Sequence, residues 1–289
     1  MATFQARRGS GWVCLGYLAL LLLVTTEARA DDAALVAAIN DYRLAPQGCA
    51  NRQTTALGPL APNERLARQR VTSAEQLQSA LQQAGYQPAA AQVIAIAGPS
   101  TREAAYEALK QRYCAILLDP RYAEVGVLHE GNTWQVVLAR SLLPSDLGDW
   151  QQAGRAILEQ VNRARGQARR CGDQRFDAAA PLAWNDALAQ ASLAHSRDMA
   201  LSNYFNHQSR NGDLAGKRAT RAGYSWQSIG ENIAAGQGSA QQVVAGWLAS
   251  PAHCFNIMNA DFTEMGAAYA VNPQSDAAIY WTQVFGTPQ

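Results

Sequence analysis

The sequence predicts an α+β protein, a sandwich of helices and antiparallel strands, written twice along one chain. Three observations carry that reading. Helical periodicities give way to strand periodicities across residues 157–285, residue spacings in one stretch recur in another, and the cysteines fall two to each stretch.

Residues 157–165 place Ile157, Leu158, Val161 and Ala164 on one face of a helix. Residues 185–201 predict a longer helix, capped by Asn185 or Asp186, with Leu188, Leu193 and Met199 as apolar positions. A third helix is expected over 212–222, ended by Gly223. A short strand follows at 229–234. Ser239 then caps a helix over 240–249 that turns Val243, Val244 and Trp247 inward. Pro251 suits the first turn of a short helix holding His253, Cys254, Ile257 and Met258. Strands at 265–271 and 278–285 are joined by Asn272-Pro273-Gln274-Ser275-Asp276.

The repeat appears in the offsets. Asn40 stands 9 residues before Cys49, as Asn162 stands 9 before Cys171. Cys49 to Pro59 and Cys171 to Pro181 are both 10 residues, and Cys114 to Gly126 and Cys254 to Gly266 are both 12. Pro59-Leu60-Ala61-Pro62-Asn63 answers Pro181-Leu182-Ala183-Trp184-Asn185, Ala84-Gly85-Tyr86 answers Ala222-Gly223-Tyr224, and Trp134 answers Trp281. The two stretches differ in between: Asn63 to Ala84 is 21 residues, whereas Asn185 to Ala222 is 37. The first stretch thus lacks the segment carrying His195 and His207, and it has Val93 opposite Glu231 and Tyr113 opposite His253. It is expected to be scaffold or partner surface.

The amino terminus reads as an export leader. Arg7 and Arg8 precede an apolar run with Leu20-Leu21-Leu22-Leu23, and Ala28-Arg29-Ala30 is a small-x-small cleavage pattern. The expected divisions are therefore a signal peptide over 1–30, a first domain over 31–148 and a second over 149–289. Cys14 lies too early in the run to be a lipoprotein cysteine. Without residues 1–30 the chain carries 21 basic and 22 acidic residues, which recommends neither nucleic acid nor an anionic membrane as a partner. No membrane span is expected after cleavage. Cys49, Cys114, Cys171 and Cys254 remain, and four cysteines allow three pairings. Equivalent positions in the two stretches select Cys49–Cys114 and Cys171–Cys254.

Several segments together resemble the CAP superfamily: Phe205-Asn206-His207, Gly230-Glu231-Asn232, Trp247 with Ser250 and His253, Asn256-Ile257-Met258, and Tyr280-Trp281-Thr282-Gln283-Val284-Phe285. Its members are cysteine-rich secretory proteins, venom antigen 5 proteins and plant pathogenesis-related proteins, and the bacterial-type SCP domain is the nearest pattern. The resemblance covers about 153–286 in full, and 35–140 looks like a degenerate member. It implies an α-β-α sandwich with a shallow cleft lined by two histidines and two acids. His207, Glu231 and His253 match three of these positions. Ser250 stands where the second acid is expected, which weakens any mechanism that needs two carboxylates.

Three function classes follow. The favoured one is an exported, secreted or periplasmic binding module whose cleft holds a divalent cation such as Zn²⁺ on His207, His253 and Glu231, or a small apolar ligand such as a sterol or another lipid. A metal-assisted hydrolase, with Glu231 or a histidine as general base, is the second. A structural protein that pairs with extracellular proteins is the third. His195 reads as a structural histidine on a helix face, Trp281 and Phe285 as core, and His129 as exposed.

Overall fold

Side-chain caps set most helix starts, and apolar alternation sets the strands between them. The computed structural model describes residues 15–49, 54–71, 73–144 and 147–289. Arg7, Arg8 and Cys14 lie outside the described residues. The first half runs α1 (Leu15–Leu44), β1 (Ala61–Pro62), α2 (Glu64–Ala67), α3 (Ala74–Gln83), β2 (Pro88–Ala97), α4 (Arg102–Leu117), β3 (Glu124–Glu130) and β4 (Thr133–Ser141). The second runs α5 (Trp150–Arg165), β5 (Arg169–Cys171), β6 (Gln174–Phe176), β7 (Ala183–Trp184), α6 (Asp186–Ser202), α7 (Ala215–Arg221), β8 (Trp226–Ala235), α8 (Ala240–Leu248), α9 (Pro251–Met258), β9 (Glu264–Val271) and β10 (Ile279–Pro288). Among the described residues no helix is long and apolar enough to cross a membrane.

Each half contains a four-stranded sheet, in the order β1-β3-β4-β2 and β7-β9-β10-β8. The short leading strand is parallel to its neighbour in both sheets, and every other pairing is antiparallel. In the second sheet the faces divide as alternation requires. Ala267, Trp281 and Phe285 look toward α5, α8 and α9, where Ile157, Val161, Val243, Trp247 and Ile257 complete one core. Ser192 and Ser196 of α6 cover the other face, bonding Gly266 O and Ala268 O. This is an α-β-α sandwich.

Polar interactions recur at matching places, including some that the offsets alone did not single out. Arg43 and Arg165 are both buried, and each guanidinium gathers four carbonyls. Arg43 takes Gly58, Leu117, Asp119 and Tyr122, while Arg165 takes Ala180, Ile257, Asn259 and Phe262. Asn40 exchanges both amide bonds with Leu60, as Asn162 does with Leu182. Glu124 accepts from Asn63 and Tyr86, and Glu264 from Asn185 and Tyr224. The disulfides are Cys49–Cys114 and Cys171–Cys254, as the spacings required.

Some elements differ from expectation. The helix expected at 157 starts at Trp150, because Asp149 accepts from Gln152 N and caps two further turns that lack the apolar periodicity of the rest. The helix expected over 212–222 is confined to α7, because Asn211 accepts from Asp213 N in a turn that delays it. His129 is not free in solvent: it stacks on Trp134 with ring centroids 3.7 Å apart.

Candidate functional site

His207 lies on the loop between α6 and α7. Asn203, in the left-handed conformation at φ 47°, ends α6 and turns the chain. Fully buried His195 then holds the loop from below. Its Nε2 lies 2.8 Å from Asn206 O and its Nδ1 3.2 Å from Ser209 Oγ. Burial pushes His195 down to about 4, so it is neutral at ordinary pH. The structural reading of this residue agrees with these contacts.

Glu231, on β8, is almost wholly buried and has both carboxylate oxygens engaged. Oε1 lies 2.8 Å from His207 Nδ1, and Oε2 accepts from Arg218 at 2.5 Å. Burial alone would raise this carboxyl, but the His207 hydrogen bond and the Arg218 charge outweigh it and hold it below the usual carboxylate range. Arg218 also donates to His207 O, Ser209 Oγ and Asp213 O. One guanidinium therefore sets both the acid and the loop. Because ionised Glu231 can only accept, His207 Nδ1 carries the proton and Nε2 is left with a lone pair in the neutral ring.

His253 sits in the first turn of α9, with Nδ1 2.8 Å from Ser250 Oγ. Ser250 occupies the N-cap position without making a side-chain cap bond, so its hydroxyl serves the histidine instead. Both residues are buried, and burial followed by the nearby His207 pushes His253 down to about 3. Its carbonyl accepts from Asn232, while Asn256 donates to Glu231 O and Asn232 Oδ1. Asn232 thus bonds backbone beside the site. Trp281 and Phe285 are fully buried core residues.

The structure brings the residues together as two contacting pairs, His207–Glu231 and Ser250–His253, tied by Asn232 and Asn256. Neither Nε2 has a hydrogen-bond partner among the described residues. The side chain of His207 is 45% exposed, so the site opens on its side. Among the described residues no three His, Cys, Asp or Glu side chains are grouped closely enough to hold a metal ion between them. Sequence reasoning missed Arg218. The available signal was Glu231 itself, since a carboxylate set between Ile229 and Ile233 in a strand pattern needs a buried cation.

Residues 158–285 match the family model described as "CAP: Cysteine-rich secretory protein family". Over 105 residues the chain is 36% identical to the uncharacterized protein YkwD of Bacillus subtilis, a match covering 36% of this chain and 39% of that protein. Over 87 residues it is 34% identical to the uncharacterized membrane protein YlbC of the same organism, covering 30% and 25% respectively. The chain therefore spans less than half the length of these relatives. A solved extracellular protein containing a SCP domain, from Bacillus anthracis, is 26% identical with a TM-score of 0.40, covering 55% of this chain and 53% of that one.

Proposed function

We propose, from the match of residues 158–285 to the cysteine-rich secretory protein family, that the chain is an exported binding protein whose second half takes a divalent cation on His207 and His253. Two disulfides suit an oxidising compartment, the medium or the periplasm. The observation that carries the cation reading is the way both rings are held. Glu231 fixes one Nδ1 and Ser250 the other, leaving each Nε2 unpartnered among the described residues. A carboxylate behind an imidazole is the usual support for a metal-ligating histidine. The donor set fits Zn²⁺ as two neutral imidazoles, with water or a ligand oxygen completing the coordination. Glu231 acts here by orienting His207, since both its oxygens are engaged.

The first half, residues 31–148, is a degenerate copy serving as scaffold. Support comes from its identical strand order, the paired Arg43 and Arg165, and Val93 and Tyr113 standing where the second half has Glu231 and His253. Its Gly58 packs beneath Ala235 and Phe205, the latter two residues before His207.

A purely structural network is the second reading, favoured by the buried Arg218–Glu231 ion pair. A hydrolase using Ser250 has less support, because that hydroxyl is fully buried. Calorimetric zinc titration separates the first two. His207→Ala and His253→Ala should each weaken binding at least about tenfold, and His129→Ala should leave it unchanged. Unaltered affinity in both folded site variants would leave the structural network in its place. A lipid or sterol occupant would instead appear by mass spectrometry of the native protein.

A further inference from the structure

A large cavity lies in the first half, away from the site histidines. It measures about 1270 Å³, opens between α1, β3 and α4, and reaches Leu248 and Pro251 of the second half.

The matching region of the second half is solid. Gly154 of α5 lies so close to β9 that a Cβ there would stand 2.3 Å from Ala267 O and 2.7 Å from the Trp184 ring. Tyr269 packs on Trp281 and donates to Gly148 O, which lies just before α5. The repeat spacings put Asp32 in the place of Gly154, Pro62 in that of Trp184 and His129 in that of Tyr269. A carboxylate where the helix requires a glycine holds α1 off the sheet. A proline in place of an indole leaves the space behind it unfilled. The hollow thus follows from two substitutions at matched positions.

Asp32 lines this hollow, and its Oδ1 is shielded from solvent without a hydrogen-bond partner among the described residues. Burial raises its carboxyl to about 6, with His129 pulling the other way. Asp41 and Asp173 also face the cavity and make no ion pair among the described residues, whereas Glu64, Glu103 and Glu107 are paired with Arg68, Arg102 and Lys110. Val36, Tyr106, Val127 and Leu248 supply apolar wall.

We propose that this cavity binds an amphiphilic cation, an ammonium group on an apolar body, with the ammonium on the unpartnered oxygen of Asp32 and the body against Val36, Tyr106 and Val127. A buried acceptor left unmade is costly, and a charged donor satisfies it best. The apolar wall disfavours a small hydrated ion.

The test titrates the purified full-length chain, with residues 1–30 retained, with n-octylammonium, n-octanol and octanoate. Octylammonium should bind at least about tenfold more tightly than octanol, and octanoate more weakly than either. Asp32→Asn should abolish the preference for the cation, and Val36→Trp should fill the space and remove binding of all three. His207→Ala should change nothing, which separates this site from the cleft. Equal affinity for octylammonium and octanol, a preference that survives Asp32→Asn, or no binding by any probe would overturn the proposal. The three-probe comparison on the unaltered protein decides the matter even if a variant fails to fold.

Discussion

Arg218 and Glu231 leave water together, and their mutual hydrogen bond is what makes either tolerable. Removing one partner strands the other. Arg218→Met should cost about 3–5 kcal/mol by urea denaturation, and the double variant Arg218→Met/Glu231→Leu should recover much of that loss. His195 gives a second expectation at this scale. Its folded value of about 4 lies below the ordinary 6.5, so the unfolded chain binds more protons in that window. Stability should therefore fall as pH drops from 6.5 toward 4, with His195 contributing about 1.4 kcal/mol per pH unit. The slope should be shallower by that amount in His195→Gln. His207, Glu231 and His253 were legible because the motif residues around them are distinctive. Arg218 was not, because Lys217-Arg218 in a short helical pattern reads as solvent-facing until the tertiary structure buries one of the pair.

Among the elements, α6 lies against β9 with almost no clearance. A Cβ on Gly266 would stand 2.0 Å from Ala189 N, and one on Gly126 would stand 2.2 Å from Ala67 N at the matching contact of α2 with β3. Gly266→Ala should cost about 1–3 kcal/mol through displacement of α6, read from the urea midpoint. Because α6 carries His195, the same change should also weaken zinc binding. Gly126→Ala should lower stability by a similar amount and leave zinc affinity alone. Strands and long helices were readable from periodicity, since half-buried faces impose it. Helix starts were less so: α5 gains its first turns from Asp149, and α7 loses its own to the Asn211–Asp213 turn.

At the scale of the whole molecule the halves share buried hydrogen bonds. Gln237 is fully buried and donates to Pro59 O and Ala123 O, and Asn40 donates to Ala249 O. Arg140 reaches Asp276 O nearer the surface. Calorimetry should show one cooperative unfolding transition, and the fragment 149–289 should melt below it; two independent transitions would show halves that do not support each other. No spacing in the sequence could foretell Gln237, whose partners are backbone carbonyls 178 and 114 residues away. The Cys171–Cys254 bridge adds a different property. His207, Glu231, Ser250 and His253 all lie between its two cysteines, inside one covalent ring. A protease cutting that ring once, for instance after exposed Arg210, would open it without releasing a fragment, and both ends would stay joined through sulfur. Outside the cell, where proteases are met, the nicked chain would keep all four residues on one molecule until a reductant parted them.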